Sequence, residues 1–494
     1  MFSNNNQNNK LPEKSSIVIS DFKIPFISKV ISPLLWIFNV GTILLLIYFL
    51  INTPQWNWNN IFRINGFTLL IWVTVTFFSA IVSSYAKDYL KGFLFQKRFT
   101  FLSLGFTLSV MLFVMSNHIA ALLVSWFLMG VFMARLIGVD AKWGEAKEAS
   151  NLAQKFFLTS TMLLSAGMLL LAYQTNQYTL DGILGSLESI SFPILLAASL
   201  LIIVAALIQS AIYPFHRWLL SAMTAPTPAS ALMHAGFVNG SGILLALVST
   251  LLIASNSLTL LFVIGGLTAV LAQFTKLLQV NVKQKLACST IAQMGFMIMQ
   301  CGLGFFNAAV AHLILHGFYK AYLFLSSGEE IALSAPQKKL KIKIKPLQAF
   351  AVLLFGLAGA ALFGLLTGKT NMADSSIFLT LIVAITVGQA TYNIVKEKTL
   401  SFAQKTIVPI ALFVTGISLY ALLYHGVTKL MSGMPMIEVP QSLSLIQIVF
   451  GVIFLIGFFV MKLAIYRKVP WLYVKLLNIS QPDTNTILKY KSTK

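Results

Sequence analysis

Long apolar runs separated by short polar stretches repeat along the chain from about residue 30 to residue 465. A helix that crosses a bilayer needs about 20 predominantly apolar residues, and about fourteen runs qualify. They lie near 32–52, 66–84, 99–116, 118–137, 152–173, 193–213, 228–251, 258–278, 286–303, 307–325, 347–366, 375–395, 404–424 and 444–465. The pattern predicts an all-α polytopic membrane protein of about fourteen transmembrane helices. Ahead of it, the polar, low-complexity stretch Met1 to Ser16 predicts a disordered tail.

One stretch breaks the pattern. From Gln209 to Leu245 the sequence QSAIYPFHRWLLSAMTAPTPASALMHAGFVNGSGILL carries Gln209, Pro214, His216, Arg217, Pro226, Pro228, His234 and Asn239. In hydrocarbon, an interrupted helix persists only where its freed backbone groups are buried in protein or line a wet cavity. Such breaks point to a transport site. Thr227 as N-cap and Pro228 at the first helical position predict where the helix restarts. His234 then lies about 9 Å further along it, at 1.5 Å per residue.

Composition agrees with this picture. Of 494 residues, 57% are hydrophobic and 10% charged, against about 25% charged in soluble domains. Cys288 and Cys301 fall in or beside a single apolar run, so no disulfide framework is expected. The first apolar run lacks a small-residue cleavage pattern, so no cleaved signal peptide is expected.

The net charge of +21 would suggest nucleic acid on a soluble chain. Here the charge alternates from loop to loop. Lys10 to Lys29, Lys87 to Arg98, Arg135 to Lys147, His216 with Arg217, Lys276 to Lys285, Lys338 to Lys345, Lys396 to Lys405 and the tail after Lys462 form one set. The intervening loops hold fewer charges, among them Arg63, Asp181, Glu188 and Asp374, and several hold none. An even number of spans with both termini in the cytoplasm of an inner membrane produces this alternation. The basic loops then face the cytoplasm and anionic membrane lipids, and no nucleic-acid partner is expected.

None of the fourteen carboxylates falls in the middle of a run, which leaves no candidate for paired-carboxylate chemistry. The polar groups at depth are Gln209, His234, Gln293, His312, His316 and Lys320, with Lys155, Lys276 and Lys369 nearer segment ends. An ionisable side chain within a span is costly and points to function, whereas an end lysine can snorkel to the interface. In AHLILHGFYKAYLF, His312, His316 and Lys320 follow one another at i, i+4 spacing, which stacks them on one helix face over about 12 Å. Histidine titrates near neutrality, and low dielectric brings a buried lysine toward that range, so such a row can pass protons. The alternatives are polar glue between helices and a metal site that would need further ligands. His234 has an alternative of its own, a hydrogen bond to a neighbouring carbonyl.

Several of these stretches resemble one family. AIYPFHRWLLSAMTAPTPASALMHAGFVNG is similar to the P-x-x-x-W-L-x-x-A-M-x-x-P-T-P-x-S-A-L-x-H-A signature of the subunit-L type of antiporter-like subunits in respiratory complex I. NVKQKLACSTIAQMGFM resembles the family's D-x-K-R-x-L-A-Y-S-T-x-x-Q-x-G-Y pattern, and NAAVAHLILHGFYKAYLF its H-L-x-x-H-A-x-F-K-A-x-L-F motif. INGFTLL with SSYAKDYLKGFLFQKRF looks like the family's early segment, so the likeness runs from about residue 64 to 330. It implies a proton- or cation-translocating fold of two inverted repeats with discontinuous helices, the first broken at Pro214 and the second near Lys369 in LLTGKTN. It also implies ion-path roles for His234, Lys283, His312, His316 and Lys320. The parts would be a tail at 1–20, N-terminal helices at 21–116, repeats at 117–257 and 258–400, and C-terminal helices with a basic tail at 401–494.

The departures are specific. Gln209 replaces the family's key lysine on the first broken helix, Phe127 its glutamate, and Asn281 the aspartate of D-x-K-R. The long lateral helix of the complex I subunit has no counterpart after Ile465. With the HRWLLSAMTAPTPASALMHAG wording, these differences resemble the membrane subunit (DabB type) of two-component DAB inorganic-carbon pumps. That resemblance implies a large zinc-binding partner similar to β-carbonic anhydrases, with H+ or Na+ flow through this chain driving CO2 or bicarbonate chemistry there. The chain itself is expected to be a transport subunit without enzymatic activity or cofactor. Gly265–Gly266 is too little for a phosphate cradle. The competing readings are a complex I-like or multisubunit cation/proton antiporter component and a non-conducting scaffold.

Overall fold

The computed structural model describes residues 24–54, 56–328, 346–371, 373–396, 400–462 and 465–487. The N-terminal tail and the lysine-rich loop Lys338 to Lys345 lie outside these residues. The chain runs through α1 (Phe26–Asn52), α2 (Gly66–Tyr89), α3 (Gln96–Met115), α4 (Ile119–Ile137), α5 (Gly144–Thr175), the short α6 (Leu180–Gly185) and α7 (Phe192–Gln209). A segmented stretch follows: α8 (Arg217–Ser221), α9 (Thr227–Leu232), α10 (Gly240–Leu247) and α11 (Ser249–Ala254). Next come α12 (Leu258–Lys276), α13 (Val282–Gly302) and α14 (Phe306–Leu325). The described C-terminal part holds α15 (Pro346–Thr367), α16 (Ser376–Lys396), α17 (Phe402–Leu430), α18 (Leu445–Lys462) and α19 (Pro470–Ile479).

Each apolar run in the sequence coincides with one long helix or, at 228–251, with the segmented stretch. Eleven of the described spans are long and apolar enough to cross a membrane. In α15 and α18 the apolar stretches are shorter, Val352–Thr367 and Leu445–Gly457. α13 fills its run while carrying Lys283, Gln284, Lys285, Gln293 and Gln300. The largest boundary difference is at α5, which starts eight residues before its apolar run. The extra turns, GEAKEASN, are rich in Ala, Glu and Lys, so helix propensity rather than hydrophobicity sets that end.

Loops with the same charge character meet in space. On the charge-poor face, His118 and Asn117 donate backbone N–H groups to Ile61, Leu180 donates to Asn117, and β1 (Trp56–Trp58) pairs with β2 (Phe62–Ile64) as a small antiparallel hairpin. On the same face Val439 donates to Gly304, and Ser375 Oγ to Leu303. The opposite, basic face brings α8 against the chain after α19. The alternation read from charge is thus an alternation of the chain between two faces.

The segmented stretch is the centre of the bundle, buried almost throughout, with α2 and α14 packed on α9. α12 and α13 touch backbone to backbone: a Cβ on Gly265 would lie 2.5 Å from the Met299 nitrogen, and one on Gly302 2.2 Å from that of Phe262. Gly265 serves close helix packing, not phosphate binding.

Candidate ion-translocation site

The break starts where α7 ends at Gln209 and Pro214 cannot continue the backbone ladder. Carbonyls along it accept side-chain donors from within the stretch and from α13. Trp218 Nε1 donates to Ile208 O at 2.9 Å, Gln284 Nε2 to Leu220 O at 3.2 Å, and Lys283 Nζ to Ala225 O at 2.7 Å. Lys283 and Gln284 are held in place by Asn281, whose side chain accepts from both of their N–H groups as the N-cap of α13. Asn281 therefore caps α13 without carrying a charge. The structure puts Lys283 at the break, with its ammonium donating to a main-chain oxygen.

The helix restarts one residue earlier than the sequence predicts. Pro226 is the N-cap, Thr227 the first helical residue and Pro228 the second. The Thr227 hydroxyl lies 3.3 Å from that of Tyr89, so it faces α2 and does not cap its own helix. Five residues on, Met233–Phe237 form a π-helical turn that carries His234. Widened turns of this kind recur at functional sites. The His234 ring stacks on Phe324 with centroids 4.4 Å apart, and neither ring nitrogen has a hydrogen-bond partner.

His312, His316, Lys320 and Phe324 are successive i+4 positions of α14, so His234 sits at the end of the row. The His312 and His316 rings are 6.3 Å apart and nearly parallel. His316 and Lys320 are buried, and both ring nitrogens of His316 lack partners. Lys320 Nζ donates to Leu286 O at 3.0 Å. Among the described residues it has no carboxylate partner. Nor do the described residues bring three ligand-type side chains together around His312 and His316, as a metal site would need. Gln209, buried beside Gly240, has an unpartnered Nε2. Buried polar groups are almost always bonded to protein or water, so a row with so few protein partners suits water. An ammonium without a carboxylate partner among the described residues, on the same helix face as two imidazoles, can lose and regain a proton.

Two expected site residues lie apart from this row. Gln293 lines a groove with Lys276, separated from His312 by the Phe296 ring. Lys369 belongs to no second break at depth: α15 ends at Thr367, and Gly368, in the left-handed region at φ 72°, turns the chain into a loop on the charge-poor face. There Lys369 Nζ pairs with Glu438 Oε1 at 2.6 Å and lies 4.1 Å from the Phe305 ring centre. Glu438 Oε2 accepts from Tyr424 OH at 2.6 Å and from Asn307 Nδ2 at 2.7 Å. Burial would raise the Glu438 carboxyl, but these bonds outweigh it and hold it below its ordinary 4.5. Burial also lowers the Lys369 ammonium, partly offset by Glu438. Lys369 does not snorkel; it is clasped. Glu438 gave no signal in the sequence, because it sits in a loop 69 residues from its partner.

On the basic face the C-terminal segment closes over the break. His216 places Nε2 2.8 Å from Ile479 O and Nδ1 3.3 Å from Pro214 O. Ser221 Oγ accepts from the Asp483 N–H and lies 3.0 Å from Thr486 Oγ1. Burial pushes His216 down to about 4, with the two carbonyls opposing the shift and the adjacent Arg217 adding to it.

Residues 116–369 match the family model for the NADH:quinone oxidoreductase/Mrp antiporter transmembrane region. The chain is 35% identical over 255 residues to a probable inorganic carbon transporter subunit DabB of Bacillus anthracis, covering 51% of this chain and 50% of that protein. It is 37% identical over 273 residues to a probable inorganic carbon transporter subunit DabB2 of Halothiobacillus neapolitanus, covering 54% and 49%. With NADH-quinone oxidoreductase subunit L of Rickettsia typhi it shares 32% over 290 residues, covering 56% and 43%. These matches span about half the length of the relatives. Among solved structures the fold resembles a chain of the Mrp complex from Dietzia sp., with a TM-score of 0.60 and 21% identity over 92% of this chain and 56% of that one. It also resembles a chain of the membrane-bound sulfane sulfur reductase, an archaeal respiratory complex, with a TM-score of 0.56 and 19% identity over 92% and 91%.

Proposed function

Because the chain belongs to the NADH:quinone oxidoreductase/Mrp antiporter transmembrane family, we propose that it is the proton-translocating membrane subunit of an energy-coupled inorganic-carbon uptake complex. The observation that carries this reading is Lys320, a fully buried ammonium whose protein partner is a main-chain carbonyl. Lys320 gives its proton through water to His316, which hands it along the 6.3 Å step to His312. His234, stacked on the far end of the row, links it to the break, where Gln209 orders water without titrating. The inorganic-carbon assignment is supported by the relatives named as carbon transporter subunits. Carbon chemistry then belongs to a large zinc-binding partner on the cytoplasmic side, and this chain supplies the ion flow. The basic loops and both termini face the cytoplasm of the inner membrane.

The test replaces Lys320 with alanine in cells whose growth depends on this complex for inorganic carbon. Growth at ambient CO2 should be lost while the complex still assembles in the membrane. Normal growth with the variant would overturn the proposed route.

A further inference from the structure

Glutamines stripe the wall of a groove that the row does not use. α12 contributes Gln273 and Lys276, α13 Gln293, and α16 Thr386 and Gln389, around a space of about 640 Å³. The spacing 293, 296, 300 on α13 and 382, 385, 386, 389 on α16 puts each set on one helix face. A separate, mostly apolar cavity of about 390 Å³ holds His312 and Gln300. Phe296, Ile382 and Thr386 line both. Phe296 meets the His312 ring edge to face, with centroids 5.1 Å apart. Polar side chains at membrane depth are expensive unless they face water or protein. Three glutamines, a threonine and a lysine share this groove with apolar neighbours such as Phe274 and Phe454, a set that suits water along its polar side, with Lys276 at its basic-face end.

We propose that this groove is an aqueous vestibule delivering protons from the basic face to His312, and that the Phe296 ring is the gate between the two. Among the described residues the lining carries amide, hydroxyl and ammonium groups and no carboxylate, which suits water-borne protons better than a metal cation. In this structure Phe296 lies between the two spaces together with Ile382 and Thr386; in this proposal, swinging its ring aside joins them. The proposal rests on the proton-translocating reading, but the existence of the vestibule can be tested without it.

The experiment uses the full chain in inside-out membrane vesicles with its native complex. Gln293→Cys and His312→Cys variants are treated with a charged, membrane-impermeant methanethiosulfonate. The native Cys288 and Cys301 are buried, and the unmodified chain gives the background rate. Cys at 293 should react readily, and Cys at 312 slowly. Adding Phe296→Ala should speed reaction at 312 about tenfold, the effect of a barrier lowered by ~1.4 kcal/mol. Phe296→Trp should slow proton flux while leaving the reactivity at 293 intact. If Cys at 293 reacts only with a lipid-soluble maleimide, the groove is lipid-filled and the vestibule is overturned. If 293 reacts but neither Phe296 variant changes access at 312 or flux, the vestibule stands and the gate is overturned. If access at 312 changes while the unaltered complex moves no protons, it is the proton-translocating reading that fails.

Discussion

The break after Gln209 and the row on α14 are both polar and both buried, but they differ in who answers their polar atoms. At the break, three freed carbonyls each receive a designated donor, from Trp218, Lys283 and Gln284. Along the row, His316 and His234 receive none, and Lys320 has a single carbonyl. Satisfied groups hold a shape, because losing one partner strands the other. Unsatisfied groups in a low-dielectric interior leave room for water and for a changing proton count. The family motif spans both regions, yet the chemistry that can vary with each turnover is concentrated in the second.

The widest predicted gap between the two regions comes from single substitutions. Lys320→Ala should reduce proton flux in reconstituted vesicles to background while thermal unfolding shifts little, since it removes an uncompensated buried charge. Lys283→Met should do the reverse. It leaves the Ala225 carbonyl only the 3.4 Å bond from Ser230 Oγ, costing about 1–3 kcal/mol, and flux per folded molecule should persist. A Lys283→Met chain of normal stability without flux would erase the distinction.

Acid should loosen the break from its basic-face side. The folded His216 value of about 4 lies below the ordinary 6.5, so the unfolded or undocked chain binds more protons between these values. Stability from the docked C-terminal segment is therefore complete above about 6.5 and falls as pH drops toward 4, by on the order of 3 kcal/mol at most. Fluorescence of Trp471 on α19, together with proteolysis of the C-terminal segment, would report the release. His216→Gln should remove the pH dependence.

Lys369 provides a control, since it too is a buried lysine but has an anion. Lys369→Ala should destabilise the chain by about 2 kcal/mol, below the ~3–5 kcal/mol of a fully buried pair because Glu438 keeps 31% of its side chain exposed. The Lys369→Met, Glu438→Gln double variant should recover part of that loss. If the two changes simply add, the clasp contributes no coupling. The smallest effect is expected at Asn281→Ala, which removes the α13 cap for about 1 kcal/mol.

The helices were legible because hydrocarbon demands uninterrupted apolar length, and that demand is written in consecutive residues. The i, i+4 row was legible for the same reason. The π-helical turn at Met233–Phe237 was not, because one extra residue in a helical turn leaves no compositional mark. The Lys369–Glu438 clasp is hidden by distance along the chain, and Lys369 resembles part of a broken helix in sequence although Gly368 ends the turn just ahead of it. Gln293 was recognised as polar at depth, but only the packing of α12, α13 and α16 shows that it faces away from the row.

The contact at Gly265 and Gly302 limits how this machine can move. Two helices whose main chains touch cannot slide or tilt past one another without collision, so α12 and α13 behave as a single stiff spar. That spar carries the backbones of Lys283, Leu286, Gln293 and Phe296 together through a transport cycle. Helix movements then fall to the opposite wall, formed by α14 and α16, while the Phe296 ring can still turn about its own side-chain bonds.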